Sequence, residues 1–346
     1  MELFPLPEFD STPPNRSDRI LQFALFLTSV AWIVSSQAVA RQAARGISIV
    51  FGLGAGRFLL GAVFFLFLLA VGFSVLQRIS LHRGPLRELL GLPSRATSGR
   101  EWVLGVAFGW GIVVLAVLPM ALAGTLHVRF WTEPRAFWLA ILNLATLAVA
   151  GLAEEVAFRG YPYRRLIQAI GPVTATVVMS VLFGLFHLLN PSATWISMLI
   201  TMLAGLLLSI AWLRTHGLWL GWGLHVGWNA SMGILFGLPV SGISSFSTVV
   251  QTRAVGRLWL TGGDYGPEAA LFTALVVLAG IIVLVRATRD YAWNYTHPPI
   301  IPGGYPTEAP PPAIHTAMEQ QTRPAPLVQI LPVTPQNSPR EDEPEL

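Results

Sequence analysis

Two adjacent glutamates, Glu154 and Glu155, close an apolar run from Phe137 to Ala153 that carries no charge. Ionisable groups at membrane depth are costly, so they face a bundle interior or a wet cavity and mark function by default. Arg159 follows Glu155 by four residues, the spacing at which side chains on one helical face meet. Glu154 points about 100° away around the same helix. The economical division pairs Glu155 with Arg159 and leaves Glu154 as a general base. The bland alternative is a Glu–Arg pair stapling the helix end, with Glu154 merely reaching for the interface.

Two later apolar runs each carry a histidine: Phe183-Gly-Leu-Phe-His187 and His225-Val-Gly-Trp-Asn229. A lone histidine on an apolar helix is more often a satisfied core group than a catalyst. Asn229, however, shares a helical face with His225, and amide and imidazole N–H groups together suit an oxyanion site. Interhelical hydrogen bonding is the competing use of such residues in membranes. Depth is an independent check. From the nearest span boundaries, Glu154, His187 and His225 lie roughly 15, 22 and 12 Å in at 1.5 Å per residue, a spread that helix tilt absorbs. The set has the parts of a hydrolytic site, with Glu154 and His187 activating water.

Other intramembrane protease chemistries lack their residues. The chain holds no His-Glu-x-x-His; Ser241-Gly242 follows Pro239-Val240 rather than Gly-x; and Thr261 precedes Gly262-Gly263-Asp264 where a glycine would be needed. Glu154, His187 and His225 could form a two-His, one-carboxylate zinc site. Asn229 makes a poor fourth ligand, so the metal-free reading, requiring no cofactor, is preferred.

Composition dictates what positions these groups. Of 346 residues, 53% are apolar and 12% charged, against about 25% charged in soluble domains. Such a chain cannot present a hydrated surface. The expected fold is all-α, a polytopic transmembrane helical bundle with its partner the lipid bilayer. The absence of cysteine excludes disulfides, a thiol nucleophile and thiolate metal ligands. Lysine is also absent, which excludes a Schiff base. The arginines are scattered through the loops, so they fit a positive-inside bias rather than nucleic-acid binding.

Spans of about 20 apolar residues fall at Ile20–Ala40, Phe58–Leu76, Trp102–Gly124, Phe137–Ala153, Val173–Leu189, Trp195–Leu213, Leu218–Leu238 and Ala269–Val285, eight in all. Ala38-Val39-Ala40 resembles a signal-peptide cleavage site, but the preceding segment is net acidic, so the first span is read as a retained helix. The arginines of loops 77–101, 159–165 and 286–289 place both termini in the cytoplasm, in what the arginine-only composition suggests is a bacterial plasma membrane. The expected organisation is a cytoplasmic segment 1–19, N-terminal helices 20–136, a catalytic bundle 137–286 and a tail 297–346. Half of the 26 prolines fall beyond His297, and the tail reads as disordered. Loop 239–268 is too long for a simple turn and is a candidate lid.

Glu154-Glu155-x-x-x-Arg159, Phe183-x-x-x-His187 and His225-x-x-x-Asn229, in this order and in separate apolar runs, resemble the CPBP family, which comprises the CAAX prenyl proteases of the second type and the bacteriocin-processing or immunity (Abi) proteins. The resemblance covers roughly Phe137 to Leu238. It implies an endopeptidase site inside the membrane, hydrolysing a membrane-associated protein or peptide near its C-terminus. Glu154 and His187 would activate water there, and His225 and Asn229 would stabilise the oxyanion. Glu155, Arg159 and Phe183 would support them. Two other classes remain open: a non-catalytic immunity or scaffold protein, and a proton-coupled transporter. The chain lacks the repeated halves common in transporters.

Overall fold

Uncharged runs of Leu, Val, Ala and Phe in lipid leave the backbone only itself to hydrogen-bond, and helices are the result. The computed structural model describes residues 16–80 and 85–288. The major helices are α1 (Arg16–Phe51), α2 (Gly56–Ile79), α3 (Ser98–Leu122), α4 (Pro134–Arg159), α5 (Tyr161–Ile170), α6 (Pro172–His187), α7 (Trp195–Thr215), α8 (Trp219–Ala230) and α9 (Leu271–Ala287). The fold is an all-α bundle. Five segments are long and apolar enough to cross a membrane: α1, α2, α3, α7 and the stretch Pro134–Ile170; α6 and α9 are shorter apolar helices. The disordered tail and most of the N-terminal segment expected from sequence lie outside the described residues.

Several boundaries differ from those expected. The first span continues to Phe51, where Gly52 and Gly54 adopt positive φ and break the helix ahead of α2. The span entering the glutamate pair ends at Gly160, and Pro162 in the first turn of α5 redirects the chain. Helix α8 stops at Ala230 and passes into a single π-helical turn, Ser231–Leu235. A two-stranded antiparallel ribbon, β1 (Leu126–Phe130) with β2 (Val250–Ala254), pairs Leu126 with Ala254 and Phe130 with Val250. Hydropathy gave no hint of it, because strands this short hide inside loops.

Small residues set the helix crossings. Between α3 and α8, Gly105 and Gly109 abut the backbone of Leu220, Gly223, Leu224 and Trp228, and Gly223 and Gly227 abut that of Trp102 and Val106. A Cβ on Gly109 would lie 2.8 Å from the Trp228 nitrogen and 3.0 Å from the Leu224 carbonyl carbon, and one on Gly227 would lie 2.8 Å from both Cα and carbonyl carbon of Val106. This is the small-xxx-small contact that lets helix backbones touch in membranes. Helices α6 and α7 meet the same way, with Gly205 against Ser180 and Phe183. At the other end of the bundle, the Trp32 indole of α1 lies over Gly72 of α2 and donates to the Leu68 carbonyl at 2.9 Å.

Candidate active site

The last turns of α4 carry Glu154, Glu155 and Arg159; the end of α6 carries Phe183 and His187; and α8 carries His225 and Asn229. The structure brings all three motifs together. Glu155 and Arg159 are wholly buried and pair at 3.3 Å between Oε1 and Nη1, as their spacing predicts. The arginine is fixed on every side. Its Nη2 donates to the Gly205 carbonyl at 3.0 Å, Nε reaches Ser209 Oγ at 3.4 Å, and the guanidinium carbon stands 4.3 Å from the centre of the Phe183 ring. The glycine at 205 admits Ser180 and Phe183 against α7 and presents its carbonyl to the arginine.

His225 holds a position the sequence did not give it. Its Nδ1 lies 2.8 Å from Glu155 Oε1, while its Nε2 lies 3.6 Å from Glu154 Oε2. The imidazole therefore spans the two glutamates instead of standing apart with Asn229, and Glu155 is shared between Arg159 and His225. Glu154 sits at the margin, its side chain about a third exposed (32%), joined to the cluster through His225.

His187 is locked from its own helix. Its Nδ1 is 2.8 Å from the Phe183 carbonyl, which can only accept, so Nδ1 carries the hydrogen and Nε2 is the basic nitrogen in the neutral ring. The Phe183 ring packs against both histidines, with centroids 4.5 Å from His187 and 6.4 Å from His225. Phe183, His187, His225 and Asn229 line one cavity, whose far wall is apolar and comes mainly from α7. Asn229 is half-buried on the same face as His225.

Among the described residues no group of three His, Asp or Glu side chains is placed to hold a metal ion. Both histidine Nδ1 atoms bond to protein acceptors, which leaves each Nε2 as the free ring nitrogen, whether for a proton or for a metal.

Sequence reasoning missed one acidic group. Glu268, from the long segment between the π turn and α9, is buried and lines the same cavity as His187 and Asn229. Its Oε1 accepts from Trp228 Nε1 at 2.7 Å, and its Oε2 accepts from the Ser241 backbone N–H and from Ser241 Oγ at 3.0 Å. The missed signal was available: Glu268 directly precedes the last apolar run, much as Glu154 and Glu155 directly follow the fourth. The segment around it is an ordered cap. Asn143 of α4 donates to the carbonyls of Ser245 and Phe246 at 3.3 and 3.2 Å, and the Gly242 N–H meets the Tyr265 carbonyl at 2.9 Å.

No curated protein and no solved structure matches the chain. Residues 134–231, less than a third of the chain but bearing all three motifs, match the family described as Type II CAAX prenyl endopeptidase Rce1-like.

Proposed function

We propose that the protein is an intramembrane endopeptidase of the glutamate type, which hydrolyses a peptide bond of a membrane-associated protein or peptide with no metal. The observation that carries this reading is the division of duties around His225. Glu155 is occupied by Arg159 and by His225 Nδ1, whereas Glu154 is about a third exposed and lies 3.6 Å from the outward nitrogen of the same ring. One carboxylate builds the scaffold and the other is available for chemistry.

In the proposed reaction a water between Glu154 and His187 loses a proton as its oxygen attacks the peptide carbonyl carbon. The locked tautomer of His187 supports this, because Nε2 is the acceptor it offers to the cavity. The carbonyl oxygen gains negative charge and is met by the Asn229 amide and by Nε2–H of a protonated His225, donors set on rigid helix. Collapse of the tetrahedral species breaks the C–N bond, and the proton taken from water passes to the leaving amine. The products are a new carboxylate and a new amine. The apolar wall from α7 would hold substrate side chains and keep bulk water out.

The arginine pattern supports a bacterial plasma membrane with both termini in the cytoplasm. The test is cleavage of internally quenched apolar peptides by full-length protein in detergent, with products identified by mass. Glu154→Gln should abolish turnover and leave thermal unfolding unchanged, because its carboxylate is partly exposed and makes a single long contact. Equal turnover by wild type and Glu154→Gln would reject the mechanism.

A further inference from the structure

The carboxylate of Glu268 plays no part in the proposed reaction, yet it lines one part of the cavity whose wall also carries His187, His225 and Asn229. Resting on the endopeptidase reading, we propose that Glu268 is a specificity-determining residue: it selects peptides that present a hydrogen-bond donor or a positive charge at that part of the cavity, and it disfavours peptides that present a carboxylate there.

Burial pushes the Glu268 carboxyl up, while the donors from Ser241 and Trp228 and the nearby His187 oppose that rise and favour the ionised form, which offers about four lone-pair sites. Three are taken, one on Oε1 by Trp228 and two on Oε2 by the N–H and hydroxyl of Ser241. One acceptor position on Oε1 remains for a ligand. The group is also rigidly placed. Trp228 directly precedes Asn229 on α8, so the bond from its indole fixes the carboxylate in register with the proposed oxyanion donor.

The surroundings decide the sign. Among the described residues, Glu268 is the one ionisable side chain lining the cavity besides the two histidines, and the remaining wall is largely apolar. Arg159 cannot neutralise it, since its guanidinium lies behind the Phe183 ring and is committed to Glu155, Gly205 and Ser209. A substrate carboxylate brought to this part would meet like charge where water screens poorly. A lysine, arginine or amide would instead complete the bonding of Oε1. The binding chemistry is that of an apolar peptide with a cationic or donor-bearing residue near its scissile bond.

A merely structural Glu268, tying the cap to α8, would bind all peptides alike. The two roles separate by binding to full-length protein carrying Glu154→Gln, the variant expected not to turn over. Fluorescent apolar peptides with Lys, Gln or Glu scanned through each position, with amidated and free C-termini, are titrated by anisotropy. At the position reaching Glu268, Lys should bind at least about tenfold more tightly than Glu, the ratio of one poorly screened charge contact. Adding Glu268→Gln should bring the ratio to within about twofold, whereas adding Ser241→Ala, which keeps the charge, should preserve it. Equal affinity of the Lys and Glu peptides at every position, no binding of any peptide, or a ratio that survives Glu268→Gln overturns the proposal. The peptide series decides even where a variant fails to fold. Cleavage of the same peptides by the chain with Glu154 intact distinguishes the two readings. Cleavage without charge selection rejects this inference alone; charge-selective binding without cleavage rejects the endopeptidase.

Discussion

The glycine contact between α3 and α8 sets where His225 and Asn229 stand, and it can be broken by a single methyl group. In Gly227→Ala the new carbon would lie 2.8 Å from both Cα and carbonyl carbon of Val106, and closer still to its oxygen. Carbon atoms pack at about 3.5–4.0 Å, so the helices must separate by roughly 1 Å or deform. Overpacking of this kind costs about 1–3 kcal/mol. Activity should suffer more than stability, because a misplacement of about 1 Å in groups that position a reaction can cost on the order of a hundredfold in rate. Gly109→Ala, which presses on Trp228 and Leu224 from the opposite helix, should behave the same way. Gly111 is an internal control: it lies on the same helix and a Cβ there meets nothing within 4 Å. Gly111→Ala should be neutral or stabilising by up to about 1 kcal/mol. Thermal unfolding in detergent beside peptide turnover reads all three variants. Wild-type melting and turnover in both Gly109→Ala and Gly227→Ala would refute the idea that backbone contact at this crossing places the site.

Arg159→Ala strands the wholly buried Glu155 carboxylate and should cost about 3–5 kcal/mol; Arg159→Lys should restore little, since an ammonium cannot reproduce the bonds to Glu155, Gly205 and Ser209 together. Turnover should survive exhaustive chelation, and stoichiometric zinc in active protein, lost with activity in both His187→Ala and His225→Ala, would overturn the metal-free reading. Removing residues 297–346 should leave cleavage of short peptides nearly unchanged, because every group of the candidate site precedes Ala269. That tail should be cut by protease added to inside-out vesicles and spared in right-side-out ones; the reverse would refute the proposed orientation.

Helices were legible because they depend on local composition. An uncharged run long enough to cross lipid has no other way to satisfy its backbone, so α2, α3 and α7 emerge near their expected positions. What stayed hidden was the detail of contact between distant segments, beyond the convergence of the three motifs at one depth. The ribbon of β1 and β2 joins residues more than a hundred apart, and although Leu126-His-Val-Arg-Phe130 alternates apolar and polar residues, five residues are too few to mark a strand without the partner that pairs with them. The break at Gly160 falls inside the loop expected over 159–165; what stayed hidden was α5, which begins at once at Tyr161. Gly105-x-x-x-Gly109 and Gly223-x-x-x-Gly227 were visible as spacings, but nothing in the spacing says which helix meets which.

The candidate site divides along the same line. Glu155 with Arg159, four apart on one helix, was readable without a fold, and so was the shared face of His225 and Asn229. The position of His225 between the glutamates was not, because it requires α8 to lie against α4. That position bears on the choice between the carboxylates. A wholly buried guanidinium needs an anion beside it at all times, so a glutamate bonded to Arg159 cannot take up a proton in each cycle without stranding that charge. Glu155 is further held by His225 Nδ1, which fixes the ring with Nε2 directed at Glu154. Glu155, Arg159 and His225 thus restrain one another, and Glu154 is the carboxylate outside that set, which is why the proposed mechanism assigns it the proton. Adjacent glutamates of one type are made unequal by their partners: Arg159 holds one in the scaffold, and the absence of a second buried arginine among the described residues beside the other leaves it available to a water.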